Sequence, residues 1–375
     1  MPKKIIVHLG HRSYPIFVAH DRFRALGPLV KKMQLGDRLF VVANPDALNL
    51  YGKYLRRSLK RSGISVFYPT RKLPTGTASE KAKSQKWVDY LVRELVRCSQ
   101  GGRQIVMAAF SGGVLGDLTG YVAAIYKRGI PYLQIPTTLL AQVDSSIGGK
   151  VGIDLSQGKN LLGAFYQPRF VYADLTVLES LPLSNFRDGL AEVVKYGMIA
   201  DPALFSFLEK HSQDLLPSKK MKKPDRKALE YIVSACVRIK SRIVARDEKD
   251  DKGIRVILNF GHTLGHAIEQ ARNYRERHGQ AISVGMVCAA EIACRMGLCR
   301  KETLQRLESL LQKLGLPVEA KGISQQKLFK AEALDKKFMH GRNRYVLPVR
   351  IGKVVVREGV PYRIIRQVMS ERILS

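Results

Sequence analysis

The sequence predicts an α/β domain built on a parallel sheet, followed by a mainly α-helical domain. Three observations lead there. Before about Thr176, short apolar runs alternate with helical segments, and after Pro182 the pattern becomes mostly helical. The stretch from Ile105 to Gly163 reads as strand, glycine-rich turn, helix and second strand, the unit from which parallel sheets are made. A glycine turn at the head of a helix gives the first domain a Rossmann-like character. A chain of 375 residues has room for a large core and two domains. The Leu181-Pro182-Leu183-Ser184 junction divides it into 1–180 and 181–375, with the site expected in the cleft between them.

In chain order, strands are expected near Lys4–His8, Ile16–Ala19, Arg38–Ala43 and Ser65–Tyr68, with helical segments such as Ala82–Cys98 between them. The apolar run Ile105–Phe110 ends at Ser111, Gly112 and Gly113. A helix follows to about Tyr126, and the strand Tyr132–Ile135 ends at Pro136. Thr137 and Thr138 stand at a strand-to-helix junction. The segment after them, with Asp144, Gly148, Gly149, Lys150, Lys159 and Asn160, reads as a loop. The second half offers helices at Gly189–Ile199, Pro202–His211, Lys227–Arg246, Gly261–Arg272, Ile282–Met296 and Lys301–Leu314. Strand-like runs come only late, at Tyr345–Val349 and Lys353–Arg357.

Lysines and arginines number 63 against 32 aspartates and glutamates, a net charge of +31. Nucleic acid, an acidic membrane face or anionic substrates would each suit that balance. The charge is spread through both halves, however, without a basic stripe interleaved with aromatics, so no nucleic-acid partner is expected. The local run Lys219, Lys220, Lys222, Lys223 reads as a solvated loop. The five cysteines (Cys98, Cys236, Cys288, Cys294, Cys299) include no C-x-x-C pair, which disfavours both a disulfide framework and a thiolate zinc site and fits a reducing cytoplasm. The opening MPKKIIVHLGHRSYP has too short an apolar run for a signal peptide. No stretch approaches the roughly 18 apolar residues of a spanning helix, so no membrane partner is expected.

Two constellations carry chemistry. Glycines let backbone N–H groups approach a ligand, and a helix start favours an anion. The spacing Gly112, Gly113, Gly116, Gly120 departs from strict G-x-G-x-x-G, and close packing would explain the same glycines. Glycines and lysines in the segment after Thr138 point to phosphate. The second constellation is Asn259-Phe-Gly-His-Thr-Leu-Gly-His266, which puts His262 and His266 on one helix face. Thr263 stands where a zinc protease would carry its glutamate, so that chemistry is disfavoured. A packed, hydrogen-bonded histidine pair would look the same. Glu192 and His278 are further ligand candidates, and a carboxylate with two imidazoles and an open position suits catalytic zinc. Glu192 and Lys195, three residues apart, share a helix face, as an ordinary ion pair would.

Long segments of this chain resemble the 3-dehydroquinate synthase family. They are SGGVLGDLTGYVAAIYKRG, IPTTLLAQVDSSIGGKVGIDLSQGKNLLGAFYQP, GLAEVVKYGMI, NFGHTLGHAIE and HGQAISVGM, in that order. Weaker matches extend from HLGHRSYPI to DKKFMHGRNRYVLP. The wider superfamily includes 2-deoxy-scyllo-inosose synthase and glycerol dehydrogenase-like proteins, so a related sugar-phosphate cyclase or a metal-dependent alcohol dehydrogenase is the alternative reading. Gly148-Gly149-Lys150, the GKN and GAFYQP look more like the shikimate enzyme.

The resemblance implies a homodimer using NAD and a divalent metal, zinc or cobalt. Its implied substrate is 3-deoxy-arabino-heptulosonate 7-phosphate, which is oxidised transiently, loses phosphate, is reduced again and closes to 3-dehydroquinate. The same resemblance makes Glu192, His262 and His278 the metal ligands and moves His266 to the phosphate side. Asp144, Lys150, Lys195, Lys240, Arg255 and His266 match the catalytic pocket. Lys159, Asn160, Asn259 and one of Lys336 or Lys337 match the substrate and phosphate contacts. Arg128 matches an arginine that reaches into the partner's site. Gly112, Gly113, Val114, Asp117, Thr137, Thr138 and Leu140, with Lys150 and Lys159, match the cofactor pocket.

The chain departs from the family at several places. Ser111 replaces a third glycine. Ser79 replaces the glycine before Glu80, while Glu80 and Lys83 keep their spacing for the cofactor's ribose side; the rival placement at Gly76-Thr77 lacks the glutamate. Gln280 stands where a glutamate is usual near the metal histidine. The Asp247–Gly253 loop is one residue longer.

Overall fold

A computed structural model describes residues 2–99, 104–216, 223–272, 276–329, 331 and 343–374. The chain forms two compact units. The first holds Met1–Pro182 together with Lys240–Glu248, and the second holds Leu183–Ile239 with Lys249–Ser375. Lys240–Glu248, which the division at residue 180 gives to the second domain, therefore belongs to the first unit.

Among the described residues, nine strands lie in the first unit: β1 (Lys3–Val7), β2 (Tyr14–Ala19), β3 (Arg38–Ala43), β4 (Ser65–Phe67), β5 (Ile105–Ser111), β6 (Tyr132–Pro136), β7 (Lys150–Leu155), β8 (Gly158–Phe165) and β9 (Phe170–Asp174). Four of its helices are α1 (Leu26–Lys32), α2 (Pro45–Arg61), α3 (Gln85–Cys98) and α4 (Gly113–Ile125). The main sheet runs β1-β2-β9-β6-β5-β3-β4. Every pairing in it is parallel except β1 with β2, which puts an antiparallel strand on one edge. All seven residues of β5 are buried, as are all five of β6 and of β9. Strands covered on both faces read as continuous apolar runs, which is why β5 and β6 are visible in the sequence. The strand β9 is one that the sequence reading does not name; it lies between β2 and β6.

The segment read as a loop after Thr138 is mostly ordered structure. A helical turn spans Ala141–Ser145, and β7 and β8 then pair as an antiparallel hairpin closed by Ser156 and Gln157. Its glycines suggest a loop, yet Gly152 and Gly163 face each other across the hairpin. A Cβ on Gly152 would lie 2.7 Å from the Leu162 carbonyl oxygen, and one on Gly163 would lie 2.5 Å from that of Val151. Close strand approach explains this pair.

The second unit contains α5 (Leu183–Ala200), α6 (Pro202–Leu215), most of α7 (Arg226–Arg246), α8 (His262–Ala271), α9 (His278–Arg295) and α10 (Lys301–Lys313). Its hairpin is β10 (Arg344–Arg350) with β11 (Lys353–Glu358), and a last helix, α11, spans Tyr362–Arg372. Helix α9 is the centre of this unit: its residues from Ala281 through Ala293 are all buried. Asp201 caps α6 by accepting from Ala203 and Leu204 N–H, with Pro202 in the first turn.

Candidate active site

In the second unit three elements converge on one carboxylate. Glu192 lies within α5, His262 opens α8 and His278 opens α9. One donor atom from each of these three residues falls within 4.8 Å of the others. His262 Nε2 is 3.5 Å and His278 Nε2 3.4 Å from the same oxygen, Glu192 Oε1. Both separations exceed an ordinary hydrogen bond. Each ring is oriented from behind: His262 Nδ1 lies 3.2 Å from the Phe260 carbonyl, and His278 Nδ1 3.4 Å from Glu269 Oε1. The Phe260 carbonyl holds His262 Nδ1 on an acceptor, and the Glu269 carboxylate draws His278 Nδ1 by charge, so that both Nε2 atoms face Glu192.

Glycines make this convergence possible. Gly261 caps α8 in the left-handed conformation (φ 79°), and a Cβ there would lie 2.5 Å from Met286 Cγ. A Cβ on Gly285 of α9 would lie 2.0 Å from the Gly261 carbonyl oxygen, and one on Gly279 would lie 2.3 Å from Asp188 Cα on α5. Side chains at these positions would push α5, α8 and α9 apart and spread the three donors. Arg277, just before His278, pins the start of α9 to α5 by donating from Nη2 to Asp188 Oδ2 at 2.7 Å and to Asn185 Oδ1 at 2.9 Å.

Charge follows this geometry. Glu192 is 1% exposed, and its Oε2 is ion-paired with Lys195 Nζ, itself 2% exposed. Burial and the neighbouring Lys195 hold His262 well below the ordinary imidazole range, so it is neutral and free to ligate. Burial would lower His278 too, but the Glu192 and Glu269 carboxylates outweigh it and raise it to about 10. A metal at Nε2 would displace that proton. One buried carboxylate and two imidazoles with donor atoms within 4.8 Å of one another fit a divalent metal. His266 is not one of the three grouped donors, although its ring centroid is 5.2 Å from that of His262 and 6.5 Å from that of His278. Spacing alone left His262 and His266 as equals. The sequence reading does not name Glu269, Asp188 or Arg277. Glu269 is seven residues past His262, the helix repeat that returns to the same face. Arg255 is buried and Asn259 exposed at the two ends of the turn before α8. Lys336 and Lys337 lie outside the described residues.

The first unit gathers a second set. Helix α4 starts at Gly112 and Gly113 without a side-chain cap, so its first N–H groups are available to an anion. Packing accounts for the other glycines. A Cβ would lie 2.6 Å from Ser145 Oγ at Gly113, 3.0 Å from Gln134 Oε1 at Gly116 and 2.4 Å from Val151 Cγ1 at Gly120. Gly112 differs: a Cβ there would meet only the Thr138 side chain, at 3.3 Å. Val114 and Asp117 are in the first turns of α4. Thr137 N–H bonds the Ser111 carbonyl, Thr138 Oγ1 accepts from Ala141 N–H, and Leu140 leads into the helical turn.

Lys83, 4% exposed, is the hub of this unit. Its Nζ donates to Asp117 Oδ2 at 3.0 Å and bonds Asn160 Oδ1. Asn160 adopts a left-handed backbone (φ 56°), and its N–H donates to Asp154 Oδ1. Glu80 faces Lys159 at 3.5 Å. Burial raises the Asp117 carboxyl to about 6 despite Lys83, and burial raises Glu80 as well. Lys240 Nζ donates to the Asp144 carbonyl at 2.8 Å and is ion-paired with its carboxylate. Lys150 opens β7. Arg128 is exposed at φ 63° beside Lys127 at φ 49°, two consecutive left-handed residues.

Comparison with known proteins places these arrangements. Residues 75–188 match the model of the 3-dehydroquinate synthase N-terminal domain, and residues 189–338 that of the C-terminal domain. The chain belongs to the 3-dehydroquinate synthase family. It is 43% identical over 352 residues to the 3-dehydroquinate synthase of Caldanaerobacter subterraneus, covering 94% of this chain and 95% of that one. It is 42% identical to that of Nostoc punctiforme, covering 99% of both. Among solved structures it resembles 2-epi-5-epi-valiolone synthase from Streptomyces hygroscopicus, which has NAD+ and Zn2+ bound (TM-score 0.83, 26% identity, 95% of both chains). It equally resembles 2-deoxy-scyllo-inosose synthase in complex with carbaglucose-6-phosphate, NAD+ and Co2+ (TM-score 0.83, 26% identity, 99% of this chain and 100% of that one). Iron-containing alcohol dehydrogenases share the fold at 15% identity. Among the described residues, no helix is long and apolar enough to cross a membrane.

Proposed function

We propose that this protein is a 3-dehydroquinate synthase, a carbon–oxygen lyase that turns 3-deoxy-arabino-heptulosonate 7-phosphate into 3-dehydroquinate and phosphate. The observation that carries this reading is the aim of His262 and His278 at Glu192 Oε1, each ring held from behind, in a chain of this family. Glu192, His262 and His278 would hold zinc or cobalt, and the Gly112–Asp117 turn with Glu80 and Lys83 would hold NAD. When bound, the metal supplies Lewis acidity at the substrate hydroxyl and NAD+ a hydride acceptor that is regenerated, so no net redox change results.

The chain's own side chains do the rest. Lys195 balances the buried charge of Glu192. Lys150, Arg255, His266, Asn160 and Asn259 grip the phosphate through charge-assisted bonds, with Lys159 and one of Lys336 or Lys337. Asp144 and Lys240 hold each other ready for the carbocycle hydroxyls. After phosphate leaves, ring opening and aldol closure need a held conformer more than another catalyst.

The enzyme works as a cytoplasmic homodimer, with Arg128 serving the partner's site. The exposed apolar residues Ile125, Leu161, Leu162 and Phe165 around the end of α4 and on β8 support this, as does the strained backbone at Arg128.

One assay tests the reading. With NAD+, zinc and the heptulosonate phosphate, phosphate should be released without accumulation of NADH; a chelator should stop release and zinc restore it. NADH accumulating without phosphate would make the protein a metal-dependent dehydrogenase instead.

A further inference from the structure

We propose that Cys294 and Cys299 are a built dithiol that closes to a reversible intramolecular disulfide at the end of α9. Their sulfurs are 3.1 Å apart. Bonded sulfurs sit about 2.05 Å apart, so closure asks for roughly 1 Å of approach. The backbone holds this juxtaposition. Helix α9 ends at Arg295, Gly297 takes the left-handed conformation (φ 68°), and the chain folds back on the last turn. Gly297 N–H donates to the Cys294 carbonyl and Leu298 N–H to that of Ala293, the paired bonds of a Schellman cap. That turn carries Cys299 back over Cys294. Cys299 Sγ also lies 3.7 Å from the Ala290 carbonyl oxygen, and Cys294 Sγ lies 3.6 Å from that of Arg300.

Accessibility separates the pair from the rest. Cys98, Cys236 and Cys288 are buried, whereas Cys294 and Cys299 are both partly exposed. The oxidant is a small-molecule disulfide such as oxidised glutathione. Cys294 thiolate attacks one of its sulfurs and expels a thiolate, leaving a mixed disulfide. Cys299 then loses its proton and attacks Cys294 Sγ, expelling the second thiolate. In balance, two protein thiols and one disulfide become one protein disulfide and two small thiols. Burial, with Cys294 alongside, pushes the Cys299 thiol up to about 12, so Cys299 takes the resolving step. The metal-ligand candidate His278 is at the other end of the 18-residue helix, roughly 24 Å away along its axis, so closure leaves the active site in place.

The test uses the full-length protein. After treatment with oxidised glutathione and blocking of free thiols, trypsin cleaves at Arg295 between the two cysteines. The peptide ending in Arg295 and the peptide Met296–Arg300 should remain joined until a reductant is added, with a mass lower by two hydrogens than their sum. The bridge should vanish in Cys294→Ser and in Cys299→Ser. Glutathione retained on Cys294 without a bridge would overturn the proposal, and so would a bridge that survives in Cys294→Ser, because it would then run through Cys288. Free thiols on both residues at equilibrium with millimolar oxidised glutathione would overturn it equally.

Discussion

Glu269 shows how a residue that touches no reacting atom can still set the site. Its carboxylate faces His278 Nδ1 from behind, while Nε2 of that ring faces Glu192. Glu269→Gln keeps the shape but removes the charge that orients the imidazole. Zinc affinity, measured by competition with a chromogenic chelator, should fall roughly 10- to 100-fold with little change in melting temperature. Asp117 offers a pH test. Its folded-state value of about 6 lies above the 3.8 of an unperturbed aspartate, because burial outweighs Lys83. Between about pH 4 and 6 the folded protein therefore holds a proton that the unfolded chain releases, and this residue's contribution to stability declines as pH rises through that window. Asp117→Asn should abolish the decline. Urea unfolding at a series of pH values should show wild type losing ground to the variant up to about pH 6, with a constant gap above it.

At the scale of elements, three helices are brought together by what their glycines lack. The Gly285 Cα is against the Gly261 carbonyl, where an added methyl would sit 2.0 Å from backbone oxygen that cannot swing away. Gly285→Ala should cost about 1–3 kcal/mol of unfolding free energy, as core overpacking does. Zinc affinity should drop in the same variant, because α8 and α9 carry one imidazole each. Equal zinc binding by the two proteins would show that the helix contact does not set the donor spacing. In α4, by contrast, Gly113, Gly116 and Gly120 serve packing, and only Gly112 keeps an open approach. The sequence could not separate these uses, since both require a missing Cβ. It missed β7 and β8 for a related reason: glycine and charge read as loop, and a hairpin with Gly152 opposite Gly163 shows itself only through its pairing.

At the scale of the whole molecule, the proposed homodimer has a test in the exposed apolar side chains of β8, which a second copy would cover in that reading. Phe165 is 45% and Leu161 53% exposed, and both are on β8. Phe165→Glu should shift the protein from dimer toward monomer in analytical ultracentrifugation. If Arg128 serves the partner's site, the monomer should lose phosphate release as well. An unchanged sedimentation coefficient would remove this face from the interface.

By itself the sequence determined the parallel α/β first half, the mostly helical second half and the family. Continuous apolar runs such as Ile105–Phe110 are local signals of buried parallel strands, and long motifs survive as text. The reading also placed His262 and His266 on one helix face, because helical repeat is local. Helix spacing left His262 and His266 as equals and the family resemblance separated them, but only the tertiary structure brings donor atoms of Glu192, His262 and His278 within 4.8 Å of one another. It likewise decided that Glu269 and the Phe260 carbonyl aim the two rings, and that Lys240 belongs with the first unit. These depend on distances between residues far apart in the chain, set by how closely helices approach where a Cβ is absent, and no local pattern records such a distance.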